Sequence, residues 1–121
     1  MWTYAIKARE LRENGVKRGT GYSGFNEFAN DPTKVREKAK GPIPPGKYRI
    51  GPAYKHASLG PVCMNLDPLP GTEMYGRSMF RIHGDNSTPA PFDGSWGCIC
   101  LARPIREAIN KSQDRILEVT E

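Results

Sequence analysis

Two histidines (His56, His83) and three cysteines (Cys63, Cys98, Cys100) occur in the 121 residues, so few imidazole–thiol pairings exist. His83 ends an alternating run, Met79-Phe80-Arg81-Ile82-His83, and Gly84 after it permits a sharp turn. Fifteen residues beyond His83 stands Ser95-Trp96-Gly97-Cys98. A nucleophilic cysteine needs a base to form its thiolate and donors to hold the oxyanion it creates. Histidine serves as that base because it titrates near neutrality. Gly97 would let a substrate approach the backbone, making the amides of Gly97 and Cys98 candidate oxyanion donors. The same pattern also fits a histidine that caps a strand and a cysteine that fills a core.

The elements that must position this pair are mostly strands. Trp2, Tyr4 and Ile6 alternate with Thr3, Ala5 and Lys7, and an Asn14-Gly15 turn signal follows, so residues 2–20 predict a β-hairpin. Asp31-Pro32-Thr33 predicts the capped start of a short helix from Pro32 to about Ala39. Gly41-Pro42-Ile43-Pro44-Pro45-Gly46 reads as a rigid extended connector, and Lys47–Ile50 as the strand after it. Cys63–Leu66, Met79–His83, Cys98–Leu101 and Ile116–Val119 are further strands. In the run 79–83, Phe80 and Ile82 face one side and Arg81 and His83 a polar one. Gly84 to Gly97 reads as a loop, and Pro104 opens a helix whose Ile105, Ala108 and Ile109 form an apolar face. The site would lie where the strand 79–83 meets the turn 95–98.

Composition agrees with a single, mainly β domain over residues 1–121. Gly and Pro make up 24 residues, too many for a helical bundle. Apolar residues recur along the chain and the net charge is only +5, which argues against disorder. No apolar run approaches the roughly 18 residues a membrane helix needs. The N-terminus lacks the features of a signal peptide, so synthesis in the cytoplasm is expected. Charges alternate in sign through Lys34–Lys40, which does not favour nucleic-acid binding. No Cys-x-x-Cys spacing marks a zinc site, and no metal or other cofactor is expected. A Cys98–Cys100 bridge would be strained, whereas Cys63–Cys100 is open in an oxidising compartment. Otherwise Cys100 is expected to pack near the site, Trp2 and Tyr4 in the core, and His56 in solvent.

Phe80-Arg81-Ile82-His83-Gly84 followed by Ser95-x-Gly97-Cys98-Ile99 resembles the His-Gly…Ser-x-Gly-Cys signature of L,D-transpeptidase-like enzymes. The likeness is greatest to the branch of small type VI secretion effectors and prophage-borne proteins. Gly21-Tyr22-Ser23-Gly24, Gly41–Tyr48 and Asp85-Asn86-Ser87-Thr88 extend it over nearly the whole chain.

The resemblance implies an L,D-transpeptidase-like β-sandwich with one or two short helices. It also implies action on peptidoglycan stem peptides, with Cys98 as nucleophile and His83 as base. Gly84 would orient the imidazole through its carbonyl, and Ser95 and Gly97 would shape the loop beneath the thiol. The thioacyl intermediate would pass to water, to a D-amino acid or to a second stem. Delivery by a secretion machine or a phage into the periplasm of a target cell would follow, with an immunity protein as partner. Two positions depart from the signature: Trp96 where a second histidine is usual, and Cys100 where an arginine is usual. Arg81 or Arg103 would then compensate in binding substrate, alongside Trp96. The alternative is a peptidoglycan-binding module with a vestigial site.

Overall fold

Alternation of apolar and polar residues builds most of this protein from short strands. The computed structural model describes residues 1–85 and 92–121. Its elements are β1 (Trp2–Ala5), β2 (Glu10–Glu13), β3 (Val16–Thr20), β4 (Tyr22–Ser23), β5 (Gly46–Ile50), β6 (Tyr54–His56), β7 (Gly60–Pro68), β8 (Arg81–His83), β9 (Ile99–Cys100), α1 (Arg103–Lys111) and β10 (Ile116–Thr120). Strand order is β3-β2-β1-β10-β5-β7-β8-β9-β4, and β6 pairs with β7 off that path.

Nine-residue β7 joins two halves. Its C-terminal end pairs with β5 (Tyr48 with Pro68, Ile50 with Leu66), its middle with β8, and its N-terminal end with β6. The halves close over one core: Trp2, Tyr4, Leu11, Tyr48, Leu117 and Val119 come from one, Met64, Ile82 and Ile99 from the other. This is the expected mainly β architecture.

Several local expectations change. The expected hairpin at 2–20 is a three-strand meander whose first strand also pairs in parallel with β10, Trp2 opposite Leu117 and Tyr4 opposite Val119. The expected helix 32–39 stops at a single 3-10 turn, Pro32–Lys34, capped by Asp31 accepting from the Thr33 amide. A two-residue ladder, β4 with β9, and the strand β6 were not expected. His56 is not merely solvated: its Nδ1 accepts from the amides of Ser58 (3.0 Å) and Leu59 (3.1 Å), shaping the turn into β7. The run 79–83 pairs only from Arg81, because Met79 adopts a left-handed φ of 68°. All three cysteines are free, so the open Cys63–Cys100 pairing is not made.

Candidate active site

The sheet sorts residues by face. Met64 lies opposite Ile82, and Ile82 opposite Ile99, so alternate positions of β7, β8 and β9 line the core. The intervening positions put Asn65 opposite Arg81 and His83 opposite Cys100 on the other face. One step back along the parallel β8–β9 register, Cys98 falls beside Arg81. His83 at the end of β8 and Cys98 in the turn that leads into β9 are therefore diagonal neighbours on one face. Both line a groove of about 630 Å³ with Arg77, Met79, Phe80, Arg81, Gly94 and Trp96.

His83 is not on an open polar face as its alternation implied; it is only 2% exposed. Its Nδ1 lies 2.6 Å from the Gly84 carbonyl oxygen. A carbonyl only accepts, so Nδ1 carries the proton and Nε2 keeps a free lone pair. Burial pushes the imidazole below its ordinary 6.5. The Gly84 carbonyl opposes that shift, the charges of Arg106 and Arg81 add to it, and Asp85 opposes it. The sulfur of Cys100 packs against the ring, 3.8 Å from Nδ1 and 4.0 Å from Nε2, and burial pushes its own thiol up to about 12. Cys98 is half-buried, its thiol directed at the Met79 carbonyl at 4.0 Å. Desolvation raises it above 9.0, opposed by the Arg81 backbone amide and the Arg81 charge. At neutral pH the two groups are a thiol and a neutral imidazole, which suits proton transfer from one to the other.

The turn carrying Cys98 is held from several sides. Ser95 Oγ accepts from the amides of Gly24 (3.0 Å) and Gly97 (3.1 Å) and donates to the Cys98 carbonyl (2.5 Å). Ser23 Oγ donates to the Gly97 carbonyl (2.8 Å) and accepts from the Ile43 amide (2.9 Å), tying the Pro-rich connector to the same turn. Gly97 has φ +122°, and a Cβ there would meet Arg77 Nη2 and Phe80 Cε1 at 2.7 Å. Its glycine is thus required by backbone and packing rather than by an approaching substrate. Its amide is also engaged by Ser95, which leaves the Cys98 amide as the oxyanion donor of the expected pair.

Trp96 is 63% exposed at the rim of the groove and packs on Phe25 at 5.5 Å. Arg103 does not reach the groove: it is exposed on α1, ion-paired with Glu107 at 2.9 Å, and borders a separate cavity. Asn86, Ser87 and Thr88 of the resembling block lie outside the described residues. Among the described residues, no group of three His, Cys, Asp or Glu side chains is arranged to hold a metal.

Two buried arginines were not anticipated. Arg77 donates to the carbonyls of Val35 (2.6 Å), Pro42 (2.7 Å) and Gly41 (2.8 Å), with its guanidinium over Phe80. Arg106 donates to Leu101 (3.0 Å) and Pro61 (2.7 Å) and fills the space beside Gly84. No pattern separates such an arginine from a surface one, because its partners are carbonyls distant in sequence.

The whole chain shares the fold of an L,D-transpeptidase. It is similar to the crystal structure of L,D-transpeptidase (Yku) from Stackebrandtia nassauensis, with 13% identity and a TM-score of 0.54 over 99% of this chain and 54% of that one. It thus spans about half the length of that protein, and at this identity the likeness is one of fold. The Tlde1 domain matches residues 17–120, and the chain belongs to the Tlde1 domain family. Family and fold are those of the L,D-transpeptidase-like effector branch that the sequence resembles. No curated protein matches the sequence.

Proposed function

We propose that this domain is a cysteine-dependent L,D-carboxypeptidase and transpeptidase of peptidoglycan stem peptides, with Cys98 as nucleophile and His83 as base. The observation that carries the proposal is that both side chains line one groove, His83 from the end of β8 and Cys98 from the turn that leads into β9. His83 Nε2 takes the thiol proton as Sγ attacks the carbonyl of the third stem residue, and the carbonyl π electrons move to oxygen beside the Cys98 amide. Collapse of this adduct breaks the bond to the terminal D-amino acid, whose amine leaves with the proton from His83. The thioester is then opened by water, deprotonated at Nε2, and Cys98 regains its proton. A D-amino acid amine in place of water gives exchange, and a second stem gives a cross-link. Gly84 orients the imidazole, Ser95 and Gly97 fix the turn, and Trp96 borders the substrate.

Peptidoglycan lies in the periplasm, so we propose delivery there by a secretion machine or a phage, with an immunity protein guarding the producer. Digestion of purified sacculi with wild type and Cys98→Ala, followed by mass spectrometry, tests the activity. Conversion of tetrapeptide to tripeptide by wild type alone supports it; equal, negligible conversion by both favours a binding module.

A further inference from the structure

Arg81 projects from β8 beside Cys98, half-buried, into the groove. Its Nε donates to the Tyr54 hydroxyl at 2.9 Å, and that hydroxyl donates in turn to Asn65 Oδ1 at 2.6 Å. Three strands thus cooperate on one guanidinium: β6 through Tyr54, β7 through Asn65 and β8 through Arg81 itself. Only Nε is so engaged, and the guanidinium also carries two Nη groups. They make no hydrogen bond within the described residues, and no carboxylate there lies within ion-pair distance of Arg81. Among the other arginines, Arg12, Arg18 and Arg103 pair with glutamates and Arg77 and Arg106 with backbone carbonyls, while Arg49 lies exposed on β5 away from the groove. The planar fork of a guanidinium whose Nη groups are uncommitted matches a carboxylate in a bidentate pair. Lys38 also borders the groove but is exposed, and Asp93 lines the same groove from the segment before Gly94.

We propose that Arg81, aimed by Tyr54 and Asn65, is the anchor for a substrate carboxylate within about one residue of the carbonyl presented to Cys98. This rests on the stem-peptide reading and adds its specificity. A stem tetrapeptide offers two such carboxylates, that of the terminal D-amino acid and that of the diaminopimelate side chain. Arg81 contacts substrate; Tyr54 is a positioning residue that acts through it.

The test is calorimetric titration of Cys98→Ala with three synthetic stem tetrapeptides: the free acid, the C-terminal amide and the diaminopimelate amide. The free acid is expected to bind at least about tenfold more tightly than one of the amides, which identifies the carboxylate read. Adding Arg81→Gln should bring that ratio near one. Tyr54→Phe, which deletes a single hydroxyl, should reduce it severalfold while leaving affinity for the discriminated amide unchanged. A ratio that survives Arg81→Gln, or no binding of any of the three peptides, overturns the proposal. Because binding is read without turnover, intact discrimination by an inactive wild type would count against the catalytic reading alone.

Discussion

Cys98 and His83 rest as neutral partners, and that state has consequences for pH. Burial holds His83 below 6.5, so the acid limb of kcat/KM should fall below that value, and iodoacetamide should titrate Cys98 above 9.0 once His83 is removed. His83→Gln should slow acylation at least about a hundredfold. It should also cost about 1–3 kcal/mol of stability, because the imidazole is buried rather than on an open face. The linkage runs in one direction. The unfolded chain takes up the proton at 6.5 and the folded protein at a lower pH. Stability is therefore complete above 6.5 and falls as pH drops through that window, and His83→Gln should flatten this slope in acid denaturation. Gly97→Ala should lower the melting temperature markedly, since φ +122° and the contacts with Arg77 and Phe80 leave a Cβ no space.

Among the elements, the turn 95–98 depends on Ser95 more than on any propensity. Ser95→Ala removes an acceptor for two amides and a donor to Cys98, and should cost about 2–4 kcal/mol with a fall in activity steeper than the loss of fold. Thermal unfolding and sacculus digestion on the same preparation would separate the two. The elements that carry this site differ in how far the sequence revealed them. Strand β8 and helix α1 were legible because local periodicity and Pro104 decide them. The two-residue strand β4 was not, since it exists only through its pairing with β9, which itself falls within the expected strand Cys98–Leu101. His83 and Cys98 could be paired from their motifs, yet the Cys100 sulfur packed on the imidazole is held in turn by Gly94, whose amide donates to the Tyr22 hydroxyl, and no local pattern encodes that chain of contacts. The short helix expected after Pro32 does not continue past its first turn: the Val35 carbonyl accepts from Arg77, distant in sequence, and Ala39 adopts a left-handed φ of 66°.

At the scale of the whole molecule, the two ends of the chain build its middle. Strand β1 lies between β2 and β10, burying Trp2 and Tyr4 against Leu117 and Val119, although the matched family region starts only at residue 17. Deleting residues 1–6 should therefore unfold the domain, read as loss of the cooperative thermal transition, even though none of these residues lines the groove. The net charge of +5 should make association with anionic sacculi weaken as salt rises, a dependence that pelleting assays would record. Expression directed to the periplasm should be toxic and cytoplasmic expression harmless, with Cys98→Ala tolerated in both. The most direct measurement is intact-protein mass spectrometry of enzyme quenched in acid during turnover of a stem tetrapeptide. A tripeptide adduct that maps to Cys98, accumulates in wild type and is absent from Cys98→Ala is the expected result; turnover without any covalent species at that sulfur would contradict the account.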